Sequence, residues 1–332
     1  MKSNVLNVTD LTVELRLAAA DVPVVTGVSF EVQRGETLGL VGESGCGKTM
    51  TSLAVMGVLP RVARVAGGSI KVDGRELVGA GQRELEDVRG RRIGMVFQDA
   101  MRCLDPSFTV GQQLIEVARR HLGISRRAAA DRAAAVLNLV GIKQPRSRLD
   151  DYPHQFSGGM AQRVMIALAI ICEPVVLIAD EPTTALDVTI QRQVLRLLHD
   201  LQQELGLAVL LITHDLGVVA QVCDRVAVMY AGQIVEQASS VELFDHARHP
   251  YTEALVNSIP RADRASRRLR TISGTVPPPM EWSPGCRFAP RCTWFVPDRC
   301  DEPGTSLIDV VDGHACRCVR APELVLRGNH GQ

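Results

Sequence analysis

The sequence predicts an α/β fold followed by a small segment of different composition, and three observations support this. A short apolar strand at residues 37–41 runs directly into a glycine-rich loop. A second run, Val175 to Ala179, is apolar throughout and ends in two carboxylates, as expected for a parallel strand buried on both faces. Five of the nine cysteines fall within the last 47 residues, which indicates a separate C-terminal module.

The composition limits the classes of function. The 332 residues are 46% hydrophobic, enough for one large domain and a smaller one. Lys plus Arg and Asp plus Glu both count 37, so no net charge favours nucleic acid, and we interpret the Arg-rich stretch 261–270 as a solvated linker. The first 15 residues lack the apolar core of a signal peptide. The most apolar stretch, 164–179, is shorter than the roughly 20 residues of a spanning helix. We therefore expect a cytosolic chain that reaches a membrane only through partners.

The glycine-rich loop fits the pattern G-x-x-x-x-G-K-[ST] at residues 42–49. Its glycines let backbone N–H groups point at phosphates, and the following helix adds its positive N-terminus. Lys48 is expected to reach the β and γ phosphates, and the Thr49 hydroxyl to coordinate Mg²⁺. The residues predicted to bind ATP are Gly42, Glu43, Ser44, Gly45, Cys46, Gly47, Lys48, Thr49 and Met50.

Polar side chains follow two further apolar strands. Asp180 and Glu181 end the first strand, where Asp180 is expected to hold Mg²⁺ and Glu181 to polarise an attacking water. His214 ends the strand predicted at 207–213 and is expected to bond the γ phosphate. Between the loop and these strands, Ser157 precedes a helix with two open glycines, which makes a second anion-binding helix start.

The remaining pattern predicts a sheet region to about residue 97 and a helical insert at about 99–173. In that insert the Ala-rich stretch 125–142 is predicted to form an amphipathic helix with Ser125 as its N-cap. The parallel sheet is expected to resume at Val175 and to close near Gln237, after a hairpin at 226–237. A short helix is expected after His249, and the prolines of 275–285 indicate an extended boundary.

The order of these motifs resembles the nucleotide-binding subunit of an ATP-binding cassette (ABC) transporter over about residues 5–240. The motifs are GESGCGKT, Gln98 in VFQD, FSGGMAQR, VVLIADEP, TALD and LLITHD. The resemblance implies a P-loop NTPase fold with a parallel core sheet, an antiparallel β subdomain and a helical subdomain. We therefore expect a nucleotide-binding domain over 1–248, with its helical subdomain at about 99–173. An extension over 249–332 would carry the Cys-rich segment 285–318.

The resemblance also implies roles that the residues alone do not give. Gln98 corresponds to the residue that senses the γ phosphate, meets Mg²⁺ and touches the membrane subunit, and Asp187 to the D-loop. The signature Ser157, Gly158, Gly159 and Met160 would bind ATP held by an opposite subunit. Glu181, His214 and Gln98 would form the catalytic set. Two positions depart from the family pattern: no aromatic residue for adenine stacking precedes Phe30, and Ala161 replaces the usual arginine.

Two segments, DYPHQFSGGMAQRVMIALA and HPYTEALVNSIP, are similar to the ATPases of bacterial dipeptide and oligopeptide importers. This resemblance implies a peripheral subunit at the cytoplasmic face of the inner membrane. Its partners would be a second, non-identical ATPase, two permeases and an external peptide-binding protein, with no nucleic acid. Other cargo (a nickel chelate, haem or a peptide antibiotic), a soluble non-transport cassette ATPase and a binding module without turnover remain as alternatives.

The cysteines of the C-terminal segment leave three interpretations open: disulfides, a zinc site and an iron–sulfur cluster. Disulfides are disfavoured in a reducing cytosol, and the spacing C-x5-C-x7-C is loose for zinc. The resemblance implies a [4Fe–4S] cluster, in addition to ATP and Mg²⁺. Its ligands would be Cys286, Cys292, Cys300 and Cys318, the last chosen because it follows His314 by four positions, with Cys316 as the alternative fourth ligand.

Overall fold

The computed structural model describes residues 3–18, 20–184, 186–258 and 272–326. The Arg-rich stretch 261–270, predicted to be a linker, lies outside the described residues. The strands are β1 Asn4–Arg16, β2 Asp21–Gln33, β3 Thr37–Val41, β4 Ala63–Val72, β5 Arg75–Glu76, β6 Ile93–Val96, β7 Val176–Asp180, β8 Ala208–Thr213, β9 Arg225–Tyr230, β10 Gln233–Ser239, β11 Ile308–Val311 and β12 His314–Cys316. The helices are α1 Lys48–Met56, α2 Gln82–Val88, α3 Ala100–Cys103, α4 Val110–Leu122, α5 Arg126–Leu139, α6 Pro145–Arg148, α7 Gly158–Ile170, α8 Val188–Leu205, α9 Leu216–Val222, α10 Ser240–Asp245 and α11 Pro250–Asn257.

The chain divides into two compact units, and each is built from separated segments. The first unit comprises Met1–Asn7, Glu31–Thr37 and Ile70–Ile212. The second comprises Val8–Phe30, Leu38–Ser69 and Thr213–Gln332. The four strands β2, β1, β4 and β5 form one sheet in that order.

The first unit contains the parallel strands β8, β7 and β6 in that order. Every residue of these three strands is buried, and the polar ones, Asp180 and Thr213, lie at the strand ends, as expected for parallel strands covered on both faces. Helices α3 to α7 follow β6 in the chain and precede β7. Ser125 caps α5 by accepting a hydrogen bond from the Ala128 N–H, so the predicted N-cap is confirmed.

The second unit contains strands β11, β12, β10, β9 and β3 in that order. Strand β3 pairs parallel to β9, and β9 forms the predicted hairpin with β10 through Ala231 and Gly232. The expectation that the sheet closes near Gln237 is wrong. Strand β12 pairs antiparallel to β10, with Glu236 opposite Cys316, and β11 adds a further strand. The Cys-rich segment extends this sheet because β10 would otherwise leave its backbone groups unpaired.

No helix in the described part of the chain has the length and apolar character needed to cross a membrane.

Candidate functional site

The phosphate loop lies in the second unit and is shaped by close backbone contacts. The buried strand β3 delivers the chain to Gly42, which has φ +153°. A Cβ atom at Gly42 would lie 2.1 Å from the Met229 carbonyl oxygen, so only glycine fits there. Gly47 precedes α1 with φ +108° and offers no side chain to cap the helix. The first turn of α1 therefore presents its N–H groups and its positive dipole end to an anion.

Lys48 is folded back over the loop that precedes it. Its ammonium donates to the Gly42 carbonyl oxygen at 2.7 Å and to the Glu43 carbonyl oxygen at 3.0 Å. The side chain is buried, whereas Thr49 is exposed. Cys46 is fully buried, and burial raises the pKa of its thiol although the nearby Lys48 ammonium acts in the opposite direction. Cys46 is therefore a neutral packing residue of the loop.

Glu181 lies in the first unit, immediately after β7, and is held by two hydrogen bonds. Its Oε2 accepts from Gln98 Nε2 at 3.0 Å and from Thr184 Oγ1 at 2.9 Å. Glu181 has φ +47°, an uncommon conformation for a non-glycine residue, and Asp180 beside it is buried. The structure thus brings together two predicted site residues, Gln98 and Glu181, that are 83 positions apart.

The signature segment begins helix α7 in the first unit. The Ser157 hydroxyl accepts from the Met160 N–H at 3.4 Å, which confirms the predicted N-cap. Ser157 and Gly158 are exposed. A Cβ atom at Gly159 would lie 2.7 Å from Ile190 Cγ2, so close packing against α8 requires glycine there. Helix α7 therefore presents its N-terminal N–H groups at the surface of the unit.

Asp187 and His214 occupy the starts of other helices. Asp187 caps α8, since its Oδ1 accepts from the Thr189 and Ile190 N–H groups at 3.0 Å each. His214 is exposed in the second unit, where it follows β8 and precedes α9.

Four cysteines of the C-terminal segment line one cavity in the second unit. They are Cys286, Cys292, Cys300 and Cys318. Cys316 is not among the lining residues, because it lies in β12 opposite Glu236. Much of the remaining lining is apolar and includes Phe288 and Trp294. Within the described ranges, no group of three or more His, Cys, Asp or Glu side chains is arranged to hold a metal ion.

Burial governs the protonation of the cavity groups. It raises the pKa of Cys286, Cys292 and Cys318 to about 11 in each case, with neighbouring thiols adding to the effect. These three thiols are therefore neutral at pH 7, and a cation or cluster bound to them must displace their protons. The segment carries positive charge nearby, since Arg320 also lines the cavity and donates to the Trp294 carbonyl oxygen at 2.6 Å.

His249 lines the same cavity and caps helix α11. Its Nδ1 accepts the Tyr251 N–H at 3.1 Å, so the neutral ring carries its proton on Nε2. Burial lowers the pKa of His249 to about 4, although the Glu236 carboxylate and a backbone group of Arg317 act in the opposite direction. Nε2 is buried and has no hydrogen-bond partner among the residues that the structure describes.

A buried carboxylate anchors the segment to β10. Glu236 is fully buried, its Oε1 lies 2.7 Å from His314 Nε2, and its two oxygens accept the N–H groups of Arg248 and His249 at 2.5 and 2.9 Å. In the sequence analysis His314 served only to select Cys318. In the structure it contacts the buried Glu236 carboxylate. Sequence reasoning missed Glu236 because a single Glu within an apolar strand carries no motif.

Comparisons with known proteins agree with this geometry. Residues 25–184 match the family model described as ABC transporter, and residues 235–300 match the model described as Oligopeptide/dipeptide transporter, C-terminal region. The chain is 48% identical to the dipeptide transport ATP-binding protein DppD of Bacillus subtilis over 98% of each chain. It is 45% identical to the oligopeptide transport ATP-binding protein AppD of the same species, over 95% of this chain and 96% of the relative.

A solved structure shares the fold. CbiO1 from Clostridium perfringens, part of the ABC transporter complex cbiONQ, aligns with a TM-score of 0.63 and 28% identity, covering 74% of this chain and 92% of that one. The phosphate loop, the strand ending in Asp-Glu and the Ser-capped helix α7 thus lie in a cassette ATPase fold. The chain belongs to the family of ATP-binding subunits of peptide ABC transporters. It is an ATPase whose hydrolysis of ATP is coupled to transport.

Proposed function

We propose that this chain is the ATP-hydrolysing subunit that energises import of dipeptides or oligopeptides through a separate pair of membrane permeases. The observation that carries the proposal is the 48% identity over 98% of both chains with a relative named as a dipeptide transport ATP-binding protein. The match of residues 235–300 to the peptide transporter C-terminal model supports the same cargo class.

In this proposal the loop 42–50 binds the phosphates of ATP. The Lys48 ammonium, now on the carbonyl oxygens of Gly42 and Glu43, would neutralise charge on the β and γ phosphates. The exposed Thr49 hydroxyl would coordinate Mg²⁺, and Asp180 and Gln98 would complete the Mg²⁺ ligands. The carboxylate and hydroxyl oxygens of this set suit Mg²⁺, which prefers hard oxygen ligands.

Glu181 is proposed as the general base. Two hydrogen bonds, from Gln98 Nε2 and Thr184 Oγ1, both reach its Oε2 and so hold that oxygen in position. A fixed carboxylate can accept a proton from water as that water attacks the γ phosphate, because proton transfer needs a positioned acceptor. His214 would hydrogen-bond the γ phosphate, and catalysis would otherwise consist of positioning and charge stabilisation.

The signature would act across a dimer. The exposed N-terminus of α7 and the residues Ser157 to Met160 form an anion-binding helix start that can take the γ phosphate held by an opposite subunit. Asp187 would lie at the same dimer contact as the D-loop. We propose a second, non-identical ATPase as the partner, and hydrolysis of the shared phosphate would weaken the closed dimer.

We propose that the chain is a peripheral subunit at the cytoplasmic face of the inner membrane. Its contact with the permeases is proposed to lie on the first unit. Phe97 precedes Gln98, Met101 and Phe108 follow it within ten residues, and all three are exposed large apolar side chains. Exposed apolar side chains are typical of interaction sites. An external binding protein would deliver the peptide to the permeases.

The substitution Glu181→Gln tests the enzyme assignment. It keeps the size of the side chain and its hydrogen bonds but removes the proton acceptor, so we expect ATPase activity to fall by about 10² to 10³ while ATP binding persists. Unchanged ATPase activity would exclude Glu181 as the base. Asp245→Asn, an exchange of the same kind in a residue outside the proposed site, is the control and should leave turnover unchanged.

Uptake of labelled peptides tests the cargo. Cells that carry this transporter should lose import of dipeptides or oligopeptides when Lys48 is replaced by Ala. Normal peptide uptake in that strain, together with lost uptake of nickel chelate, haem or a peptide antibiotic, would assign another cargo.

A [4Fe–4S] cluster is proposed for the cysteine-lined cavity of the C-terminal extension, which we place at residues 249–332. Four thiols line this one cavity, which is the number of thiolates that a [4Fe–4S] cluster needs. The proton on His249 Nε2 and the nearby Arg320 suit a negatively charged group rich in sulfur. Cys318, rather than Cys316, lines the cavity, which favours it as the fourth ligand. When bound, such a cluster cross-links the segment and carries one electron.

Metal and acid-labile sulfide content of anaerobically purified protein tests this proposal. We expect close to four irons and four sulfides per chain. One zinc per chain would assign a zinc site instead, and absence of both metals from soluble, folded protein would reject a metal centre.

A further inference from the structure

Arg291 connects the Cys-rich segment to the phosphate loop. It lies between Cys286 and Cys292, and its side chain is only 5% exposed. Its Nη1 lies 2.7 Å from Glu43 Oε2, and its Nη2 lies 3.0 Å from Glu43 Oε1. This is a bidentate pair, the strongest geometry for a guanidinium and a carboxylate.

The guanidinium is held in place by groups other than Glu43. Its Nε donates to the Ser273 carbonyl oxygen at 2.8 Å, and Nη2 donates to the Gly274 carbonyl oxygen at 3.2 Å. It also lies 5.7 Å from the centre of the Tyr230 ring. These contacts hold the guanidinium in place independently of Glu43, and an arginine side chain stays charged in folded proteins.

Glu43 is the second residue of the phosphate loop and is held at three points. Its carboxylate pairs with Arg291. Its N–H donates to the Tyr251 hydroxyl at 2.9 Å. Its carbonyl oxygen accepts from the Lys48 ammonium at 3.0 Å. A shift of Glu43 would therefore also displace a partner of Lys48.

A carboxylate beside phosphates is electrostatically unfavourable unless a cation compensates it. Glu43 is 28% exposed, so solvent screens its charge only in part. With Arg291 in place the pair is nearly neutral; without it, a free negative charge would lie on the loop that must bind the anionic nucleotide.

We infer that Arg291 is a positioning residue for MgATP binding, which acts through Glu43 by orienting the phosphate loop and cancelling its carboxylate charge. The inference rests on the proposed role of the loop 42–50. It makes the Cys-rich segment part of the nucleotide site, and by reciprocity MgATP binding must stabilise that segment.

The test is a double-mutant cycle on full-length protein, with the dissociation constant of MgATP as the readout. We expect Arg291→Ala to weaken binding by about tenfold or more, because it leaves the Glu43 carboxylate uncompensated. Glu43→Gln should weaken binding by less than about threefold. It removes the carboxylate charge, so Arg291 is no longer required to compensate that charge. The double variant should bind within about threefold of Glu43→Gln.

This rescue separates a positioning role from a structural one. A purely structural contact predicts that the double variant binds as weakly as Arg291→Ala, and that result would overturn the inference. So would wild-type affinity in Arg291→Ala.

The matched control is Arg299→Ala. Arg299 also precedes a cavity cysteine and also pairs bidentately with a carboxylate, Glu323, but at the surface and away from the loop. Its MgATP affinity should equal that of wild type, and an equal loss there would assign the effect to general disruption of the segment.

Two further variants keep the inference testable. If Arg291→Ala does not fold, Arg291→Lys retains the charge without the planar fork and should weaken binding by about threefold. Wild-type affinity in Arg291→Lys, together with unchanged affinity in Glu43→Gln, would then reject the pair. Lys48→Ala reports on the loop itself: if it binds MgATP normally, the proposed nucleotide site fails, whatever Arg291 does.

Discussion

The phosphate loop and the cysteine-lined cavity belong to the same compact unit, yet they hold their polar groups in opposite ways. The loop is built from backbone, and Lys48 is bonded to the carbonyl oxygens of Gly42 and Glu43. The cavity is built from side chains spread over residues 249–324, and it leaves His249 Nε2 without a partner among the described residues. Close backbone contacts therefore shape the loop, whereas burial of side chains shapes the cavity.

The largest effect is expected from Gly42→Ala, which changes the phosphate loop, the region shaped by backbone contacts. The added Cβ would meet the Met229 carbonyl oxygen, so we expect the free energy of unfolding to fall by roughly 3 kcal/mol or more. Gly45→Ala is the control: it also has positive φ but meets nothing within 4 Å, and should cost about 1 kcal/mol. Equal losses by urea unfolding would mean that backbone conformation alone, and not contact with β9, shapes the loop.

The next largest effect is expected in the cysteine-lined cavity, on the iron content of the protein. Cys292→Ala should remove most of the iron of the proposed cluster, because it deletes a cavity thiol. Cys316→Ala should retain it, since Cys316 lies outside the cavity. Iron analysis of both purified variants decides the point, and the reverse pattern would identify Cys316 as the fourth ligand.

A smaller effect is expected from His249→Ala. It removes the acceptor that caps α11 through the Tyr251 N–H, at a cost of about 1 to 2 kcal/mol in unfolding free energy. His249→Asn keeps a capping oxygen and should recover most of that loss. If the two variants unfold at the same urea concentration, the cap contributes nothing measurable.

The smallest effect is spectroscopic. Trp294 lines the cavity, whereas Trp282 packs against Arg287 at 3.9 Å and against Gly232. We therefore expect that removal of the proposed cluster with a chelator raises the emission of Trp294 more than that of Trp282. The variant Trp282→Phe reports the emission of Trp294, and Trp294→Phe reports that of Trp282. Equal changes would place the cluster elsewhere.

The local parts of the fold were predictable from the sequence. Strand β3 was predicted at its observed bounds, and the N-caps Ser125 and Ser157 were identified correctly. Each depends on a few consecutive residues: an apolar run, a glycine spacing or a hydroxyl before a helix. The roles of the catalytic residues stay predictions, because they concern a bound nucleotide and a second subunit.

The long-range parts were not predictable. The pairing of β12 with β10, the burial of Glu236 and the contact between Arg291 and Glu43 join residues that are far apart in the chain. Such contacts leave no periodic pattern, and an arginine before a cysteine gives no sign of its partner. Asp187 was assigned through the resemblance alone, and its function as the N-cap of α8 was missed.

The separation of Glu43 and Arg291 by 248 positions also affects how the protein is made. At about 5 to 20 residues per second, the ribosome takes roughly 12 to 50 s to reach the arginine after it has made the glutamate. During that interval the nascent loop carries an unpaired carboxylate. A chain truncated before Arg291 therefore lacks the Glu43–Arg291 pair, and under the role proposed for Arg291 tight nucleotide binding begins only after the arginine has been made.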